Sequence, residues 1–309
     1  MVIRRDIDPG AGSDFTWSFS PGGGYTSTPQ SVAKAYQPAA GDFTGDGKAD
    51  IAWYGAWDRP DTMSIGTATK GAFTSRSLDQ RGTFVPLPGD YDGDGKTDIY
   101  WYQPGPDPLV ADAAHSGTNY EPNARNDELW RSTGTGWTKT ELSMPWAAVP
   151  IVGDFDGDGD DDIIWSQPGS APDVMWRFSG GVPSATSLVI NGNYRPVVGD
   201  FDDDGVSDIL WYAPGTAPDY FWWFDHAGNH TSQATSATGE QYRPFAGNLD
   251  GVGGDDIFWY APGPGNDYRW TGIARSGAHT GTATTVNGVY QPIVGDYDGN
   301  GVDDIFWYS

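Results

Sequence analysis

One eleven-residue phrase occurs six times in this 309-residue chain, clearest as Gly89-Asp90-Tyr91-Asp92-Gly93-Asp94-Gly95-Lys96-Thr97-Asp98-Ile99, and each copy runs into an apolar stretch carrying tryptophan. The copies begin at Gly41, Gly89, Gly153, Gly199, Gly247 and Gly295, so the spacings are 48, 64, 46, 48 and 48 residues. A unit of that length matches one small four-stranded sheet, which cannot bury both faces alone and must stack on like neighbours.

Within the phrase, short acidic or amide side chains stand at positions 1, 3, 5 and 9, counted from the residue after the glycine. That alternation, with Gly at position 6 letting the loop wrap one point, suits oxygen ligation of a hard cation. The complete ligand sets are Asp90, Asp92, Asp94 and Asp98; Asp154, Asp156, Asp158 and Asp162; and Asp200, Asp202, Asp204 and Asp208. Position 7 is expected to add a backbone carbonyl, from Lys96, Asp160, Val206 and Val302. The first copy has Asp42, Asp46 and Asp50 with Thr44 at position 3, and the sixth has Asp296, Asp298 and Asp304 with Asn300 at position 5. The fifth keeps Asn248, Asp250 and Asp256 but puts Val252 where a ligand belongs. Four or five Ca2+ ions are expected, with the fifth copy the one to lack its ion, and each site is expected to act separately.

An EF-hand starts in the same way but needs a bidentate Glu at position 12 and flanking helices. Position 12 here is Trp53, Trp101, Trp165, Trp211, Trp259 and Trp307, so each loop feeds a strand. Plain Asp-Gly hairpin turns are the bland alternative. Against them, three or four carboxylates crowded together repel unless a cation sits among them.

The formal charge of -25 fits this reading, because about half of the acidic side chains lie in the loops. No basic patch offers counterion release, which argues against nucleic acid or an anionic membrane as partner. No apolar run reaches membrane-span length, and Met1-Val2-Ile3-Arg4-Arg5-Asp6 lacks the apolar core of a signal peptide. With no cysteine, disulfides and thiol catalysis are excluded. Loops of this kind suit extracellular calcium, so a secreted protein is expected.

One unit reads as four antiparallel strands, around 196–201, 208–212, 220–224 and 231–236. No segment has a helical period, and 44 Gly with 23 Pro punctuate an all-β chain. The third strand has its own mark, Asp followed three residues later by Trp, at Trp17, Trp130, Trp176, Trp222 and Trp270, with Ser64 in the remaining copy. Eleven of the fifteen tryptophans thus hold two repeat positions, where large rings can fill the wedge between sheets. The chain ends after two strands of a sixth unit and begins with Asp14-Phe15-Thr16-Trp17, a third strand. Joined, the ends complete a blade, which predicts a six-bladed β-propeller of four-stranded antiparallel blades, closed by strands from both termini. The whole of 1–309 reads as one domain with an insertion at 105–127.

The Asp-x-Asp-x-Asp-Gly-x-x-Asp loops at this period resemble the FG-GAP or VCBS-like repeats of integrin α-subunit propellers and of many bacterial secreted proteins. The resemblance implies calcium in the loop between the first and second strands of each blade, at the positions named above, and loosely a role in adhesion or recognition. Integrin propellers have seven blades, and the Phe-Gly and Gly-Ala-Pro pair of the first family is missing, so the bacterial variety is nearer.

An up-and-down blade puts the calcium loops on one face with the hairpin near His226 and His230. The opposite face collects an aromatic-x-Pro signature at Tyr36, Phe84, Tyr194, Tyr242 and Tyr290, with Arg195 and Arg243 alongside, and the non-repeating Trp57 and Trp146. Aromatic planes beside Arg and Gln suit sugar rings or polar peptide groups, although strand-leading residues of purely structural use look the same. The expected function is a non-enzymatic calcium-binding recognition or adhesion module for a glycan or cell-surface protein. The alternatives are a display domain for another domain, or a polysaccharide lyase or glycosidase using His115 with Arg125, or Asp112 with Glu121, in the insertion.

Overall fold

The computed structural model describes residues 13–32, 36–55, 60–104, 127–144, 147–167, 172–215, 217–235 and 242–309. Strands β1 (Phe15–Ser20) and β2 (Gly24–Pro29) lie nearest the N-terminus. Blade I follows as β3 (Gln37–Gly41), β4 (Asp50–Tyr54), β5 (Asp61–Gly66) and β6 (Phe73–Leu78). Blade II is β7 (Val85–Gly89), β8 (Asp98–Tyr102), β9 (Glu128–Ser132) and β10 (Trp137–Glu141). Blade III is β11 (Val149–Gly153), β12 (Asp162–Ser166), β13 (Asp173–Ser179) and β14 (Val182–Leu188). Blade IV is β15 (Arg195–Gly199), β16 (Asp208–Tyr212), β17 (Asp219–Phe224) and β18 (His230–Thr235). Blade V is β19 (Arg243–Gly247), β20 (Asp256–Tyr260), β21 (Asp267–Thr271) and β22 (Thr280–Thr284). The last strands, β23 (Gln291–Gly295) and β24 (Asp304–Tyr308), pair in the order β2-β1-β24-β23, with Phe15 opposite Trp307 and Trp17 opposite Ile305. Blade VI is therefore built from both ends of the chain, and the fold is an all-β six-bladed propeller, as the repeat predicts.

Position within the blade follows from composition. The second strands, such as Asp-Ile-Phe-Trp-Tyr at β20, are apolar on both faces and wholly buried, as a central strand demands. Fourth strands such as Trp-Thr-Lys-Thr-Glu at β10 are mostly exposed and form the outer edge. First strands carry Pro at their second residue, tolerable because proline's missing donor falls on a sheet edge. They line the axis, where β3, β7, β11, β15, β19 and β23 each contact the next and β23 returns to β3. Each first strand ends in Gly because blades converge there. A side chain on Gly41 would collide with Thr97, and one on Gly153 with Ser207, of the following blade.

The core lies between blades, divided among six apolar clusters that each draw on two neighbouring sheets. Between blades III and IV, Ile151, Ile164 and Met175 meet Ile209, Trp211 and Phe224. At the closing junction Ile51 and Trp53 meet Phe306 and Tyr308. Each large side chain removed from water here contributes about 1.5–3 kcal/mol, so neither sheet of a pair is stable without the other. The third-strand tryptophans fill the outer part of these wedges, and fourth-strand groups cover several of them. Tyr25 stacks on Trp17 at 4.1 Å, His230 on Trp222 at 3.9 Å and His279 on Trp270 at 3.8 Å, while Lys139 Nζ lies 3.4 Å over Trp130.

The Asp that opens each third strand has a constant task. Asp173 Oδ1 accepts from Gln167 N–H at 2.8 Å and Oδ2 from Ile190 N–H at 2.6 Å, tying the segment after the second strand to the segment after the fourth. Asp14, Asp61, Asp127 and Asp267 make the same two bonds.

Candidate metal centres

Each candidate centre is a loop between the first and second strands of a blade, folded around its position-1 side chain. In loop III, Asp154 Oδ1 accepts from Gly157 N–H at 2.7 Å and Oδ2 from Gly159 N–H at 3.0 Å. Asp42 and Asp296 accept in the same way, while Asp90 and Asp200 accept from the N–H groups of positions 5 and 6. The wrap needs positive φ at positions 4 and 6, as at Gly157 (68°) and Gly159 (96°). Loop IV takes the first of these at Asp203, φ 62°, a conformation that Asp tolerates better than most residues.

Four loops gather three carboxylates whose oxygens lie within 4.8 Å of one another: Asp90, Asp92 and Asp98; Asp154, Asp156 and Asp162; Asp200, Asp202 and Asp208; Asp296, Asp298 and Asp304. The position-9 Asp is wholly buried in all four. Its Oδ1 caps the third strand, as in Ser132 N–H to Asp98 at 2.7 Å and Phe224 N–H to Asp208 at 2.9 Å. The other donors fit a hard cation. Asp92 Oδ1, Asp156 Oδ1, Asp202 Oδ1, both oxygens of Asp298, and Asp208 and Asp304 Oδ2 are buried without a hydrogen-bond partner, and ligation is the one interaction that would satisfy several such oxygens together. Burial, reinforced by neighbouring carboxylates, pushes Asp98 and Asp304 up to about 7 and Asp162 and Asp208 to about 8. These four triads are the candidate Ca2+ sites and agree in number with the expectation.

Other ligands named from the sequence are placed differently. The position-5 groups Asp46, Asp94, Asp158, Asp204 and Asn300 lie outside the triads, each accepting from its own position-7 N–H, on Lys48, Lys96, Asp160, Val206 and Val302. Loop I brings together Asp42 and Asp50 with the Thr44 hydroxyl, which donates to Asp42 at 3.4 Å. In loop V the Asn248 amide donates to Gly253 carbonyl at 3.1 Å, so one prospective ligand closes the loop on itself. The Arg269 guanidinium, donating to Leu249 carbonyl at 3.3 Å, lowers the Asp256 carboxyl against the burial that drives it up to about 7. Blade V thus has a resident cation beside its loop.

Two features escaped the sequence reading. A basic side chain approaches the position-3 carboxylate of every triad: Arg131 to Asp92 at 3.6 Å, Arg177 to Asp156 at 3.8 Å, Lys70 to Asp298 at 3.7 Å, and Arg275 to Asp202. Only the Trp-Arg pairs at 130–131 and 176–177 hint at this along the chain. The second feature links one loop to the next. The position-8 N–H of each loop donates to the position-1 carbonyl of the preceding blade: Thr97 to Asp42 at 2.9 Å, Asp161 to Asp90 at 2.6 Å, Ser207 to Asp154 at 2.7 Å, Asp255 to Asp200 at 2.6 Å, Asp303 to Asn248 at 2.8 Å and Ala49 to Asp296 at 2.7 Å. The carboxylates of Asp161, Asp255 and Asp303 in turn accept from the position-1 N–H of Asp90, Asp200 and Asn248. The loops form a closed hydrogen-bonded circle, and the Asp-Asp pairs at 161–162, 255–256 and 303–304 are its sequence trace.

On the opposite face, Phe84, Tyr242 and Tyr290 are buried against Trp101, Trp259 and Trp307, whereas Tyr36 and Tyr194 keep part of their surface. Arg195 donates to Tyr242 carbonyl at 2.7 Å, and Arg243 is exposed. Trp57, Trp146 and the insertion residues Asp112, His115, Tyr120, Glu121 and Arg125 lie outside the described residues.

The FG-GAP repeat profile matches residues 147–182, which span most of blade III with its calcium loop. No curated protein sequence matches the chain. Among solved structures, the chain is similar to an Agrocybe aegerita lectin that recognises non-reducing terminal N-acetylglucosamine. That likeness has 16% identity over 96% of this chain and 95% of the lectin, with a TM-score of 0.52. It is also similar to part of the Photorhabdus luminescens Tc holotoxin pore, at 15% identity over 94% of this chain and 15% of that one, with a TM-score of 0.55. At these identities the likeness is one of fold: this is a six-bladed propeller containing an FG-GAP repeat. Among the described residues no helix is long and apolar enough to cross a membrane.

Proposed function

We propose that the chain is a non-enzymatic, calcium-braced recognition module of one domain, acting outside the cell, whose partner is a glycan or a glycan-bearing surface protein. The observation that carries the reading is the division of labour between the two faces. The carboxylates gathered on one face suit cation sites and loop clasps, and Asp173, like others opening the third strands, is held in paired backbone bonds, a use of acidic groups that favours recognition over catalysis. The other face presents partly exposed aromatic rings, Tyr36 and Tyr194, with Arg195 and Arg243, the composition that sugar and polar peptide ligands select. The shared propeller fold of a lectin supports the glycan branch. The similar propeller that makes up a small share of a toxin chain favours display of other domains as the second reading.

A glycan array probed with the calcium-loaded protein tests the proposal. Saturable binding to a sugar class, weakened by Tyr194→Ala with the melting temperature unchanged, is expected. An array without signal, against a folded and calcium-loaded sample, sinks it in favour of display.

A further inference from the structure

The second strands of five blades end in tyrosine, and each of these rings packs on the position-12 tryptophan of the next blade. The centroid distances are 5.1 Å for Tyr54 on Trp101, 5.0 Å for Tyr102 on Trp165, 5.3 Å for Tyr212 on Trp259, 5.2 Å for Tyr260 on Trp307 and 5.2 Å for Tyr308 on Trp53. The hydroxyl then accepts a backbone N–H at the lead-in to that next blade, from Phe84, Ala148, Tyr242, Tyr290 and Tyr36 at 2.8–3.1 Å. Blade III breaks the rule, because Ser166 stands where the tyrosine would be. Among the described residues Trp211 of blade IV therefore has no such ring over it, and no tyrosine clasps the Tyr194 backbone.

At that junction the structure has a cleft of about 260 Å³. Trp211, Tyr194, Tyr220 and Trp222 supply aromatic walls, and Asn191 and Ser232 supply an amide and a hydroxyl. We infer that this cleft, at the junction that lacks the tyrosine, binds one neutral pyranose unit of the glycan. The inference rests on the recognition reading above. Aromatic walls match the C–H faces of a pyranose, and the amide and hydroxyl match its equatorial hydroxyls. The volume falls just under the range of pockets that enclose drug-sized ligands, about 300–1,000 Å³, which favours a single ring over an extended chain. Among the described residues no carboxylate or basic side chain lines the cleft, so acidic sugars find no counter-charge there and a bound glycoside meets no acid pair to cleave it.

Repairing the repeat is the test. Ser166→Tyr places the absent ring on Trp211, covering that wall of the cleft while leaving the metal loops untouched, and Trp222→Ala removes another wall without adding a ring. Calorimetry and saturation-transfer NMR with the methyl glycosides of glucose, galactose, mannose, N-acetylglucosamine and N-acetylgalactosamine should show saturable binding of at least one by the unaltered protein. Ser166→Tyr should abolish that binding while raising the melting temperature, and Trp222→Ala should weaken it by about tenfold. If Ser166→Tyr folds, melts higher and binds the same glycoside undiminished, the cleft is not the site although glycan recognition stands. If Ser166→Tyr does not fold, undiminished binding by Trp222→Ala overturns the assignment equally. If neither these glycosides nor any array glycan binds the unaltered protein, the recognition reading fails and this inference with it.

Discussion

Asp92 shows what a single carboxylate does in these loops. It keeps one oxygen buried without a partner, and burial followed by repulsion from Asp94 raises its pKa, partly offset by Arg131. Replacing it by Asn removes the charge while keeping the shape, so its effect should depend on metal. In chelator, Asp92→Asn should melt at the same temperature as the parent or higher. In calcium it should bind one ion fewer by titration calorimetry and lose about 3 kcal/mol of calcium-linked stability at a free concentration near 100 times Kd. Equal loss under both conditions would mean that the carboxylate is structural and not a ligand. The tyrosine clasps give a second prediction at this scale. Tyr102→Phe deletes the acceptor of the 2.8 Å bond from Ala148 and should cost about 1 kcal/mol in denaturant unfolding, with calcium stoichiometry unchanged.

At the scale of the element, the unit that responds to pH is the start of the second strand. Asp50 is pushed up to about 6, Asp98, Asp256 and Asp304 to about 7, and Asp162 and Asp208 to about 8, in each case mainly by burial. A carboxyl whose pKa is higher folded than unfolded contributes stability while it is protonated, and that contribution is lost as the pH rises through the folded value. In chelator the melting temperature should therefore fall between about pH 5 and pH 8. Saturating calcium favours the ionised form, so the slope should flatten or reverse. A chelated sample that becomes more stable across this window contradicts the assignment of the strand-opening Asp residues. The same element carries a contact beyond the sequence reading. Alternation puts positions 1, 3, 5 and 9 in one ligand set, and one oxygen of the position-5 side chain also caps the position-7 N–H, a local bond that spacing does not reveal.

Across the whole molecule, the loops are joined edge to edge by the position-8 to position-1 bonds, and the core is shared pairwise between blades. A blade therefore has no separate stability for calcium to act on. Removing calcium should lower one cooperative transition in calorimetry, and Asp156→Ala, though confined to loop III, should lower the same single peak. A resolved early transition for blade III would show that the junctions are weaker than their bonds suggest. Blade count, strand order, the closing blade and the carboxylate-bearing loops could all be read along the chain, because each follows from a local pattern repeated at a fixed interval: apolar runs make central strands, Asp-Gly alternation makes the wrapped loop, and a half-unit at each end makes a shared blade. What only the tertiary structure decided is which groups meet: the circle of loop-to-loop bonds, the basic side chain beside each triad, and the cleft at the junction where Ser166 interrupts the row of tyrosines. The loop-to-loop bonds join residues more than fifty positions apart, Lys70 and Arg275 reach the triad of a neighbouring blade, and whether a ring covers Trp211 depends on a residue in another sheet, which no spacing within a repeat can encode.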